Sequence, residues 1–105
     1  MLVDDMIRLE ARNPALNCWR EWRIELGQDL FGAWTVDIQF GRIGSRGCLL
    51  RHAFTSQAEA HAFARRGLQR RATAPARIGV AYRCVRASTD MCALLAQFNI
   101  KPMQG

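Results

Sequence analysis

The chain has few of the features that mark a secreted or membrane protein. Its 105 residues include four cysteines, which are irregularly spaced and form no Cys-x-x-Cys pair. No apolar run approaches the ~20 residues that a membrane-spanning helix needs, and no apolar leader segment follows Met1. These absences favour a reduced, cytoplasmic protein with no membrane anchor. At this length we expect one small domain over residues 1–105.

The chain also has little that would perform catalysis or hold a metal ion. Its two histidines, His52 and His61, have no recognisable motif of serine, cysteine or carboxylate partners beside them. Cys48 and His52 share a predicted strand face, but no ligand pair has the close spacing of a structural zinc site. The glycines after residue 40 are not spaced like those of a phosphate loop or a dinucleotide fingerprint. We therefore expect no enzymatic activity, no cofactor and no metal.

Acidic residues are scarce in the second part of the chain. Residues 42–86 contain ten arginines and one acid, for a charge of +9, whereas residues 1–41 contain four arginines and seven acids, for −3. Charge of one sign attracts ligands of the other, and the planar guanidinium of arginine suits bidentate contact with phosphate. A GC-rich genome also enriches arginine together with alanine, so we attribute only part of the excess to binding. The charge favours nucleic acid or an acidic protein as the partner.

Alternation of apolar and polar residues predicts four strands before the first helix. Their ranges are 6–12, 18–26, 34–40 and 48–54. In the third strand one apolar face runs from Trp34 to Phe40, and the fourth strand returns beside it as a hairpin. Arg20 is the exception on the apolar side of the second strand.

The remaining elements are predicted from caps and turn residues. Ser56 and Glu59 form a capping box, which predicts a helix to about Ala72. After it we expect a loop over 75–79, a short strand over 80–85, a short amphipathic helix from about Ser88 and a loose tail over 99–105. This order predicts an α+β fold, in which a small antiparallel sheet has one helix packed on a face and a short C-terminal helix.

A glycine-spaced arginine turn follows the third strand directly. We expect the Gly41 amide and the Arg42 guanidinium to project together from the sheet edge, with Arg46 across the turn. Aromatic rings stack on bases, arginines hold phosphates, and glycine lets the partner's backbone come close. Phe40 also suits the core, Arg42 also suits an ion pair or a clamp on turn carbonyls, and Arg46 also suits a solvated turn.

Arginines on the predicted helix lie away from its apolar stripe, where they would line a basic surface together with those of the turn. The alternative is an ordinary solvated helix face. The expected nucleic-acid-binding residues are Phe40, Gly41, Arg42, Arg46, Arg51, Arg65, Arg66 and Arg70.

The segment from about residue 22 to residue 82 resembles the WGR domain, a family named after a Trp-Gly-Arg triplet. The resemblance rests mainly on Leu30-Phe31-Gly32-Ala33-Trp34 and on Phe40-Gly41-Arg42-Ile43-Gly44, where Phe40 replaces the usual tryptophan. Members occur in DNA-dependent poly(ADP-ribose) polymerases, in regulator-like bacterial proteins and as short stand-alone bacterial chains, which this chain resembles most.

The resemblance implies a small antiparallel sheet with a helix on one face, and a binding module without a catalytic domain. In the polymerases the signature tryptophan lies against DNA near a strand end, and the signature arginine bridges DNA and neighbouring domains. By resemblance, Phe40 would take the stacking position and Arg42 the bridging or phosphate position.

Two functions follow as hypotheses. The first is a nonenzymatic module that binds the DNA backbone, including duplex ends, with little base specificity. The alternative is a protein-interaction module, by docking or homodimerisation, that uses the C-terminal apolar helix or the signature turn. Backbone binding weakens steeply with salt whereas an apolar interface does not, so salt dependence separates the two hypotheses.

Overall fold

A computed structural model describes residues 2–103. Among these residues five strands form one sheet: β1 (Leu2–Asn13), β2 (Cys18–Gln28), β3 (Trp34–Arg42), β4 (Cys48–Phe54) and β5 (Arg83–Ala87). The strand order is β4-β3-β2-β1-β5, and each neighbouring pair is antiparallel. Three α-helices accompany the sheet: α1 (Gln57–Ala72), α2 (Ala74–Ile78) and α3 (Thr89–Gln97). The α+β prediction and the β3–β4 hairpin are therefore confirmed.

One face of the sheet forms the core. Leu9 is paired with Trp22, and Trp22 is paired with Phe40, so the three side chains share a face. Leu9 and Trp22 are fully buried, as are Ile7 and Ile24 on the same face. Helix α1 covers the β2–β4 side of this face, and α3 covers β1 and β5.

The opposite face of the sheet is built from ion pairs. Glu10, which is buried, accepts from Arg12 at 2.8 Å and from Arg8 at 3.3 Å, and Arg8 also lies 3.2 Å from Glu21. Farther along the sheet, Arg51 pairs with an aspartate of β3. Arg8, Arg12 and Arg51 on this face are therefore engaged by the protein's own acids.

Helix α1 begins where the capping residues predict. The Ser56 hydroxyl accepts from the Glu59 amide at 3.2 Å, while the Glu59 carboxylate accepts from the Thr55 hydroxyl at 3.2 Å. A glycine in the helix then lets it approach the sheet, because a Cβ at Gly67 would lie 2.9 Å from the Trp22 ring. This close contact places the C-terminal turn of α1 over the start of β2.

Three predictions after residue 73 were wrong. The expected loop over 75–79 is α2, because Pro75 suits a first helical turn and Gly79, at φ +76°, ends the helix. The last strand begins at Arg83 rather than at residue 80, since the residues before it turn into the core. The tail is also held: the Cys84 amide donates to the Lys101 carbonyl at 2.8 Å, which covers part of the β5 edge.

That correction extends through residue 103, and residues 104 and 105 of the expected tail lie outside the described residues. Within the described part of the chain, no helix is long and apolar enough to cross a membrane.

Candidate nucleic-acid interface

Two glycines fix the shape of the turn after β3. Gly41 has φ +152° and Gly47 has φ +64°, and a Cβ on Gly41 would lie only 2.7 Å from the Gly47 Cα. A Cβ on Gly47 would collide with the Phe40 carbonyl oxygen. The turn is closed by the Ser45 hydroxyl, which donates to the Arg42 carbonyl at 2.7 Å. The strand ends are thus held together, and residues 43–46 project beyond them.

Phe40 lies on the core face but outside the core. Phe40 is 37% exposed, whereas Ile38, two residues earlier on the same face, is 9% exposed. The cause is the path of α1, which packs on β4 through Phe63 and then crosses to Trp22 on β2, leaving the end of β3 uncovered. Periodicity therefore places Phe40 on the correct face, but the ring remains available for contact with a ligand.

Beside Phe40 a cavity of about 650 Å³ opens at this end of the sheet. The ends of β2 and β3, the last turn of α1, and α2 all contribute to its walls. Its charged lining side chains are one acid, Glu21, and five arginines, for a net charge of +4. The acid is already paired with Arg8. The five arginines are Arg20, Arg42, Arg70, Arg71 and Arg77.

Arg20 and Arg42 occupy directly opposed positions on β2 and β3. They continue the register of Trp22 and Phe40 by two residues, so both belong to the core face of the sheet. Like charges directly opposed across an antiparallel pair are unfavourable. Neither guanidinium has an ion-pair partner among residues 2–103. The pair is therefore a place where a bound anion would lower the energy of the protein.

Arg71 is the most enclosed of the five. Its guanidinium lies 5.0 Å from the centre of the Trp22 ring, and its Nε is buried without a hydrogen-bond partner in the described structure. Burial lowers the pKa of Arg71; Tyr82 opposes this shift, and the charges of Arg70, Arg77 and Arg20 reinforce it. The cavity thus concentrates positive charge, and no acid among residues 2–103 forms an ion pair with its five arginines.

The arginines of α1 and α2 differ in what holds them. Arg77 donates to the Arg70 carbonyl and to the Thr73 hydroxyl, and so satisfies groups at the end of α1. The side chain of Arg70 has no such bond within residues 2–103, and it sits where the helix dipole favours a cation. The dipole offsets part of the repulsion among the arginines of the cavity. Because its side chain makes no hydrogen bond there, Arg70 can contact a ligand.

Of the other predicted residues, Arg46 adjoins Arg42, whereas Arg65 and Arg66 do not line the cavity. Arg46 is exposed on the turn, next to Arg42, and its carbonyl accepts from Gln39 at 2.9 Å. Arg66 lies over the Phe63 ring at 5.7 Å. Arg65 instead lines a separate cavity of about 340 Å³ between α1 and α3, which also contains Asp90. The helix arginines therefore point to different sides of α1.

Arg51 lies on the opposite face of the sheet. Its guanidinium makes two bonds to the Asp37 carboxylate, at 2.7 and 2.8 Å, and this side-chain hydrogen bonding raises the pKa of Arg51. The expectation that Arg51 joins one basic surface with Arg42 is therefore wrong in its geometry. Alternation along β4 is the reason, because a strand turns successive side chains to opposite faces.

Several side chains that line the cavity were not among the predicted site residues. Arg20 and Trp19 carried a signal, since one is a charged residue on the apolar face of its strand and the other an aromatic residue on the polar face. Arg77 and Tyr82 carried none, because they come from different parts of the chain and only the fold brings them to this end of the sheet.

No group of three or more histidine, cysteine or acidic side chains that could hold a metal ion is found over residues 2–103. The family model of the WGR domain matches residues 6–73, a range that starts earlier and ends earlier than the expected 22–82. The matched range includes the turn glycines and four of the five cavity arginines, but not Arg77. No curated protein and no solved structure matches the chain.

Proposed function

Because the chain belongs to the WGR domain family, we propose that it is a nonenzymatic module that binds the DNA backbone, including duplex ends, with little base specificity. The WGR domain is a nucleic-acid-binding type of domain. The observation that carries the proposal is the convergence of unpaired arginines with an exposed aromatic ring at the signature turn. Arg42 would contact phosphate, and Phe40 would take the stacking position.

Charge separation between the two faces supports this assignment. On the face opposite the helices, Arg8, Arg12 and Arg51 are paired with Glu10, Glu21 and Asp37. At the cavity, the one acid is already engaged. A concave site of one sign raises the local concentration of phosphate groups. Guanidinium contacts to phosphate position a nucleic acid without reading its bases, which is why we expect low sequence specificity.

We further propose that the protein acts in the cytoplasm. The four cysteines are all free, which suits a reducing compartment. Cytoplasmic nucleic acid would then be within its reach.

The test is fluorescence anisotropy of a labelled blunt duplex, with unlabelled circular duplex and single strand as competitors. Arg42→Ala should weaken binding several-fold, because one phosphate contact is lost. Arg86→Ala is the matched control, since it removes one exposed, unpaired arginine that lies away from the cavity. Equal affinities for the two variants, or no binding at low salt, would rule the proposal out.

A second candidate, protein docking, is favoured by one specific observation. Leu30 and Phe31 are each 94% exposed on the β2–β3 turn, at the end of the sheet opposite the cavity. The turn is ordered, because the Asp29 carboxylate accepts from the Phe31 and Ala33 amides at 2.8 and 2.9 Å. Large apolar side chains held in solvent mark an interaction site.

The C-terminal helix is poorly suited to the docking hypothesis. Met91 and Leu95 of α3 are buried in the core, so its apolar stripe is not free.

Docking through the β2–β3 turn would be seen as concentration-dependent sedimentation that Phe31→Ser abolishes. A monomer at every concentration would exclude the homodimer form of this candidate.

A further inference from the structure

The cavity at the signature turn is concave, whereas a duplex presents a convex backbone. A volume of about 650 Å³ lies within the range of roughly 300–1,000 Å³ that is typical of pockets for small ligands. In a duplex the bases are stacked and paired, and they reach a pocket only when they are unpaired or flipped out. A site that only held outer phosphates would need no cavity of this size.

The walls of the cavity differ in chemistry. Arg20 and Arg42 face each other across β2 and β3, and Arg70 lies on the helix side. Phe40 contributes an exposed aromatic ring beside the two strand arginines. A nucleotide has the same division, with an anionic phosphate at one end and a flat base at the other. Aromatic rings and arginine guanidinium groups are the usual stacking platforms for unpaired bases.

Arg71 adds positive charge to the interior of the cavity. Its guanidinium lies 5.0 Å from the centre of the Trp22 ring, and it has no ion-pair partner within the described residues. Positive charge in a concave site attracts an anion such as a phosphate group.

We propose that this cavity takes one unpaired nucleotide of a DNA strand, with its phosphate held by Arg20, Arg42 and Arg70 and its base placed against Phe40. The inference rests on the proposed function and narrows it, since the ligand becomes a single-stranded overhang or a frayed end rather than fully paired DNA. Arg65 and Arg66, which lie outside the cavity, have no part in holding this nucleotide.

The experiment compares three labelled DNAs that share one duplex: a blunt form, a form with a short 5′ thymidine overhang and a form with a 3′ overhang. We expect at least one overhang to bind about tenfold more tightly than the blunt form, which is within the range that stacking of one base gives. Phe40→Ala should remove this preference, so that the overhanging and blunt forms bind the variant with equal affinity. Thymidine monophosphate, added alone, should compete only weakly.

The matched pair of variants is Arg70→Ala and Arg66→Ala, because both residues are exposed arginines of α1 and only Arg70 lines the cavity. Arg70→Ala should lower affinity for the preferred overhang several-fold more than Arg66→Ala does. Thermal unfolding of each variant checks that the fold is retained.

Three outcomes would overturn the inference. Equal binding of blunt and overhanging DNA would refute it while leaving the proposed function standing. Displacement of the overhang by thymidine monophosphate at comparable concentration would assign the cavity to free nucleotides instead. Absence of binding to any of the three DNAs would refute both the inference and the proposed function.

Discussion

Arg20 and Arg42 lie directly opposite each other on neighbouring strands, on the face of the sheet that is otherwise apolar. This pairing opposes stability, because the two charges repel and neither has an acidic partner in the described structure. A residue pair that costs stability and lines a cavity is best explained by a ligand of opposite charge. Arg20 should therefore lower the free energy of unfolding of the free protein and raise its affinity for DNA.

Arg20→Gln should therefore leave the free protein as stable as the wild type or raise its free energy of unfolding by up to about 1 kcal/mol. The same change should weaken binding of DNA several-fold. Urea unfolding and anisotropy measure the two effects on one preparation. A variant that is destabilised and binds normally would show that Arg20 has a structural function instead.

The glycine turn gives a prediction that is independent of any ligand. Gly47→Ala should lower the free energy of unfolding by about 1–3 kcal/mol, because the new Cβ meets the Phe40 carbonyl at a positive φ. Gly44→Ala is the control: its φ is +87°, but nothing lies within 4 Å of its Cβ position. Gly44→Ala should lower the free energy of unfolding by less, since the alanine at this position is strained only by its positive φ. Equal costs would mean that the close approach of the strand ends is not maintained in solution.

Arg51 tests whether DNA affinity depends on the position of an arginine or only on its charge. Its guanidinium is committed to Asp37 on the face away from the cavity, so Arg51→Ala should change DNA affinity less than twofold at moderate salt. Arg70→Ala, which removes the same charge beside the cavity, should cost several-fold more. Anisotropy titrations of both variants against one duplex decide the matter, and a loss of similar size in each would favour a diffuse electrostatic surface.

The cysteines should differ in reactivity. Burial raises the pKa of the Cys84 thiol, and the nearby Cys92 raises it further. Because the thiolate is the reactive form, Cys84 should be alkylated by iodoacetamide at pH 8 more slowly than the exposed Cys48. Mass spectrometry of time points measures the alkylation rates, and faster labelling of Cys84 than of Cys48 would contradict the packing of β5.

A group whose pKa is raised in the folded state stabilises the fold at pH values below its unfolded pKa. Cys84 should therefore lower the free energy of unfolding as the pH rises above about 8.5.

The strands and the first helix were predictable from the sequence because alternation and capping depend on residues that are close together in the chain. Cys48–Phe54 has the predicted bounds, and Ser56 caps α1 as expected. The segments after residue 73 were less accessible, since α2 is only one turn long and residues 99–103 are ordered by a distant strand. Neither feature produces a periodic pattern long enough to detect.

The residues that line the cavity were predictable only in part. Gly41 and Arg42 are marked by the turn itself, and the helix arginines by their position on α1. Which of them share a cavity depends on the path of α1 across the sheet, and that path is set by the contact between Gly67 and Trp22. Tyr82 follows α2 in the sequence and lines the same cavity, so no local sequence pattern predicts its position there.

The salt dependence of DNA binding, compared between the wild type and Arg42→Ala, shows whether the protein binds DNA through phosphate contacts at the signature turn. If phosphate contacts dominate, the logarithm of the binding constant should fall linearly with the logarithm of salt concentration, and the variant should lose about one unit of that slope. A wild-type slope near zero, or an unchanged slope in Arg42→Ala, would contradict the account and redirect attention to the exposed Leu30–Phe31 turn.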